Sequence, residues 1–71
     1  MELLMSRHAL DQARERGVSI NEIKDAIKKG AKFLQNGKIL SIHRHIKIAY
    51  KKINDKFFVI TVMIRKEENG K

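Results

Sequence analysis

From Ile39 to Ile53 apolar and polar residues alternate, and a period of two fits a β-strand rather than a helix. One parity holds Leu40, Ile42, Ile46, Ile48 and Tyr50, interrupted by Arg44. The other holds Ser41, His43, His45, Lys47 and Lys51, with Ala49 among them. The stretch is long for one strand, so a bend or turn is expected near Arg44. Asn36-Gly37 just ahead of it is a strong hairpin signal, which makes Ala31 to Gln35 the partner strand. Asn54-Asp55 marks the next turn. Phe57 to Ile64 is apolar at both parities, broken by Thr61, as expected of a strand in the middle of a sheet.

Two helices are expected ahead of the strands. Ser6 is an N-cap residue, and Ala9, Leu10 and Ala13 recur at helical spacing before Gly17 closes the segment. Ser19 and Glu22 form a capping-box pattern, and Ile20, Ile23 and Ile27 with Ala26 give the apolar stripe that ends at Gly30. Helices this short gain their stability by packing. The expected fold is therefore α+β, with two N-terminal helices on one face of a small antiparallel sheet of three to four strands. If the face carrying Leu40, Ile42, Ile46, Ile48 and Tyr50 meets the helices, His43, His45, Lys47 and Lys51 line the open face.

The 71 residues are read as one domain, 1–71, with 66–71 as a frayed polar tail. Cysteine is absent, which excludes disulfides and thiolate metal sites, and three histidines without a thiolate partner argue against structural zinc. No cofactor or metal is expected. The longest apolar run is too short for a helix across a bilayer, which needs ~20 residues. No stretch reads as a signal peptide, so a cytoplasmic protein without a membrane role is expected.

The net charge is +8, and its distribution is uneven. From Ala26 to Asn54 there are eight basic residues and no acidic one, while the flanking segments are close to neutral. A field of one sign on one part of a domain attracts phosphates. A solvated face that keeps a small protein soluble is the plainer reading. The basic block lies in the strands, and the second helix opens with Asn21 and Glu22 and carries Asp25. A helix-turn-helix reader of DNA is expected to show the reverse.

Ser6-Arg7-His8-Ala9-Leu10, Arg16-Gly17-Val18-Ser19, the hairpin, Ile48-Ala49-Tyr50 and Val59-Ile60-Thr61-Val62 follow one another in an order that resembles a family of small prokaryotic toxin-like domains. That family is grouped with the RelE/ParE-like toxins of the barnase, colicin and RelE class of ribonucleases. The resemblance runs from Ser6 to Met63 and implies a RelE-like fold, a toxin-type endoribonuclease and an acidic antitoxin partner. Gln12 departs from the pattern, since family members often carry a basic residue four positions after the histidine.

Metal-free RNA cleavage needs a base for the 2′-hydroxyl, an acid for the 5′-oxygen and cations for the phosphorane. Imidazole and guanidinium suit those roles. On a helical wheel His8, Gln12 and Arg16 make a polar stripe beside the buried one. His8 is the first candidate acid or base, with Arg16 beside it. Each also has a structural reading: His8 at the helix start, Arg16 paired with Glu15 or Glu22. His43 and His45, two apart on one strand, would point the same way and bind a metal (for which the sequence lacks a third ligand), supply acid and base, contact phosphate, or stand on an ordinary exposed strand. Arg44, Lys38, Lys47 and Lys51 read as phosphate contacts, and Thr61 offers a hydroxyl. Tyr50 reads as a half-buried core residue.

The leading expectation is a metal-independent endoribonuclease acting on RNA or blocking translation on the ribosome. A non-catalytic RNA or ribosome binder, and a subunit that meets an acidic protein, are the alternatives. A homodimer fits any of them.

Overall fold

In the computed structural model, which describes residues 2–65, the chain folds in the order β1 (Glu2–Met5), α1 (Arg7–Arg16), α2 (Ile20–Lys29), β2 (Ala31–Gln35), β3 (Lys38–His43), β4 (Ile46–Ile53) and β5 (Lys56–Ile64). The five strands form one sheet in the order β1-β5-β4-β3-β2. Strands β2 to β5 are an antiparallel meander, and β1 runs parallel to β5. The tail expected at 66–71 lies outside the described residues.

The sheet is therefore five-stranded and mixed, and the expectation of three to four antiparallel strands is corrected. The added strand is β1, where Glu2 to Met5 pair with Lys56 to Val59. Four residues are too few for an alternation to be read. The apolar character of Phe57 to Ile64 on both parities did carry the signal. A meander alone leaves β5 at the sheet edge, so an inner β5 demands another neighbour.

Both helices start and stop as their sequences dictate. Ser6 Oγ accepts a hydrogen bond from the Ala9 amide at 3.0 Å. Gly17 has φ 68°, and Val18 N–H reaches the Ala13 carbonyl at 2.9 Å, which is a Schellman ending. Ser19 and Glu22 satisfy each other's amides at 3.1 and 2.8 Å, completing the capping box. Helix α1 packs on β5 and β1, and α2 on β3 and β4. The core between them holds Ala9, Ala13, Val18, Ile23, Ala26, Ile27, Ile46, Ile48, Tyr50, Val59 and Val62.

Turn geometry decides which residues reach that core. The link between β3 and β4 has two residues, Arg44 and His45, so His43 pairs with Ile46, Ser41 with Ile48 and Ile39 with Tyr50. Paired residues share a face. An even-numbered turn thus flips the parity between the two strands. Leu40 and Ile42 accordingly face away from the helices, against the expected grouping with Ile46, Ile48 and Tyr50. His43 stands on the helix side, and Ser41 is fully buried there, its Oγ donating to the Ala26 carbonyl.

One irregularity ties α1 to β5. The β4–β5 register shifts between Ala49 and Tyr50, which leaves Ile60 without a partner. The Ile60 carbonyl accepts from Ser6 Oγ at 3.1 Å, and Ser6 N–H donates to the Val59 carbonyl at 3.0 Å. Farther along, Val62 N–H donates to Gln12 Oε1 at 3.0 Å. Beyond the end of β1, side chains of α1 and its cap take over the hydrogen bonds a neighbouring strand would make.

Candidate functional site

The chemistry-bearing residues divide into three groups. His43, Arg44 and His45 come together with Glu22, Asp25, Lys29 and Ile46 around an open cleft between α2 and the β3–β4 turn. His8 and Arg16 lie on α1 and are exposed, and neither lines that cleft. Lys38, Lys47, Lys51 and Thr61 lie on the sheet face opposite the helices, with Lys51 exposed and Lys47 and Thr61 half-buried.

Each side of the cleft has a sequence origin. Ile23, Ala26 and Ile27 press α2 onto the sheet, so Glu22, Asp25 and Lys29, one step round the helix, are carried to its flank. The turn supplies the other side. His43 ends β3 on the helix face and is half-buried, whereas His45 sits in the turn and is exposed. The two histidines are therefore not alternate residues of one strand, as the sequence pattern had it. They reach the same cleft because the chain reverses between them. Arg44 holds φ 58°, a left-handed conformation that costs an arginine about 1–2 kcal/mol. The turn is also tied down by Arg65 N–H donating to the His45 carbonyl at 2.6 Å.

No ion pair among the described residues joins a cation of this cleft to a carboxylate. Among the described residues the ion pair is Arg16 with Glu15, at 3.6 Å on the exposed side of α1. Glu22 is occupied, its Oε1 held by the Ser19 amide. Asp25, without a hydrogen bond or ion pair among the described residues, lines the cleft together with Lys29, His43, Arg44 and His45. No three His, Asp or Glu side chains among the described residues are grouped as metal ligands. The arrangement offers proton donors and acceptors beside fixed positive charge, the groups that phosphoryl chemistry uses.

Asp25 and Lys29 are site residues that the sequence reading did not select. Their signal was present, since they lie three and seven positions after Glu22 and beside the Ile23/Ile27 stripe. What could not be read was which strand turn the flank would meet. Gln12, at the position where a basic residue was expected, serves the fold through Val62.

A family profile described as a domain of unknown function (DUF4258) matches residues 5–64. The chain belongs to the DUF4258 family. No curated protein matches it. The match begins at Met5 and ends at Ile64, so the DUF4258 unit spans both helices, the meander and the cleft. No helix among the described residues is long and apolar enough to cross a membrane.

Proposed function

We propose that this DUF4258 domain binds RNA at the cleft between α2 and the β3–β4 turn and cleaves it without a metal, as a toxin-type endoribonuclease would. The observation that carries this reading is the convergence of His43, Arg44, His45 and Lys29 with Asp25 in one open cleft. One imidazole takes the proton of the 2′-hydroxyl as that oxygen attacks phosphorus. The other donates a proton to the departing 5′-oxygen, leaving a 2′,3′-cyclic phosphate. Arg44 and Lys29 stabilise the charge of the phosphorane. The backbone conformation of Arg44 supports the same reading, because a guanidinium stands where Gly or Asn would fold at lower cost.

His8 and Arg16 have no part in this step, since α1 lines another region of the molecule. Single substitutions test the assignment. His43→Ala and His45→Ala abolish cleavage of a single-stranded RNA, Asp25→Asn and Arg44→Gln reduce it, and His8→Ala leaves it unchanged. Cleavage lost only in His8→Ala would overturn the assignment.

A second reading keeps RNA binding and drops turnover. It is favoured by one observation: among the described residues no hydrogen bond orients either imidazole, whereas catalytic histidines are held by a partner. RNA binding whose affinity falls by roughly 0.7 log units per neutralised phosphate per decade of salt, with intact RNA at every point, would establish this alternative.

A further inference from the structure

The parity flip leaves an apolar surface on the side of the sheet that no helix covers. Register places Phe33, Leu40 and Ala49 in one row across the strands, and Ile42, Lys47 and Met63 in the next. Phe58 and Leu4 pair at the far side, on β5 and β1. Phe33 is 52% exposed and Leu4 42%. Four lysines, Lys38, Lys47, Lys51 and Lys56, stand among these side chains. The carboxylate on the described strands of this face is Glu2, at its margin opposite Lys56. A sheet is expected to bury an apolar face against another layer, and among the described residues no such layer covers this one.

Charge and spacing narrow what can fill it. A second copy of the chain would set lysine against lysine. The residues at 66–71, Lys-Glu-Glu-Asn-Gly-Lys, contain no apolar side chain to lay on it. Successive stacked bases would need adjacent aromatic rings. Phe33 and Phe58 are three strands apart and in different rows, so they are separated by more than the roughly 14 Å that three spacings of about 4.8 Å give. Between them lie aliphatic Leu40 and Ala49. An aliphatic floor with a basic fringe fits a polypeptide that is apolar on one side and acidic on the other.

We propose that this helix-free face docks an acidic amphipathic helix of a partner protein, which completes a second layer on the sheet. The proposal does not depend on the RNA reading, because the cleft lies on the helix side. The probe is a synthetic amphipathic peptide of about five turns, leucine on one face and glutamate on the other, with a matched peptide bearing lysine for glutamate and a single-stranded RNA as comparisons. The glutamate peptide is expected to bind saturably and to shift the amide signals of Leu40, Ile42, Ala49 and Phe58. The double variant Lys47→Glu/Lys51→Glu changes side chains outside the helix-side core. It is expected to lose at least about tenfold in affinity for the glutamate peptide and to gain affinity for the lysine peptide. His43→Ala/His45→Ala should bind the peptide as the unaltered chain does. No saturable binding, shifts confined to α1 and α2, or RNA taking this face in preference to the glutamate peptide would each overturn the proposal.

Discussion

His43 and Ile46 face one another across a two-residue turn, and this pairing decides how the domain divides its surface. It brings His43 to the helix side beside α2 and sends Leu40 and Ile42 to the opposite side. The basic segment of the sequence is thereby split between a cleft with acid–base groups and an apolar face with lysines.

The turn itself is built against backbone preference. Arg44 at φ 58° is expected to tolerate Arg44→Asn with a gain in stability of about 0.5–1 kcal/mol, because asparagine enters the left-handed region more readily. RNA binding should fall in the same variant. Urea unfolding and an RNA titration, run together, check both directions.

Gly30 is required for space rather than for backbone freedom. Its φ is −72°, open to any residue, yet a methyl carbon there would stand 2.5 Å from the Ala26 carbonyl oxygen and 2.8 Å from that of Ile42. Both are backbone atoms of packed elements. Gly30→Ala is expected to destabilise the domain by about 1–3 kcal/mol, read from the urea midpoint. Gly17, whose added methyl would meet nothing, is limited by its φ of 68° instead.

Gln12 should be replaceable where the acceptor is kept. Gln12→Glu retains an oxygen for the Val62 amide, whereas Gln12→Leu leaves that N–H unpaired and is expected to cost about 1–2 kcal/mol. Hydrogen exchange at Val62 should quicken in the leucine variant and stay slow in the glutamate one.

Most of the meander was legible because its signals are local. Asn36-Gly37, Asn54-Asp55, both N-caps and Gly17 each act within a few residues. Two features depend on distant partners and were not legible. The pairing of β1 with β5 joins Glu2 to Lys56, and four residues carry no period of their own. The face occupied by Leu40 and Ile42 depended on whether the turn near Arg44 held an even or an odd number of residues. The alternation passes through Arg44 without marking this. The candidate site was half legible for the same reason: His43, Arg44 and His45 are contiguous, while Asp25 and Lys29 join them only once α2 lies on β3 and β4.

Tyr50 makes stability sensitive to alkali. It is buried, with its ring edge against Phe57 at 5.7 Å between centroids, and burial raises its phenol above the ordinary 10.0. As pH rises past about 10, the unfolded chain loses this proton before the folded one does. The folded state then binds more protons, so stability present below that pH is lost as pH climbs through the folded value. The urea midpoint of the unaltered chain should fall above about pH 10 more steeply than that of Tyr50→Phe.

The most direct test of the cleft is the fate of an end-labelled single-stranded RNA incubated with the purified chain in EDTA, alongside His43→Ala and His45→Ala. Cleavage is expected to survive EDTA, to leave 2′,3′-cyclic phosphate ends and to disappear in both variants. RNA that stays intact with the unaltered chain, or that is cut equally by the two variants, would contradict this expectation.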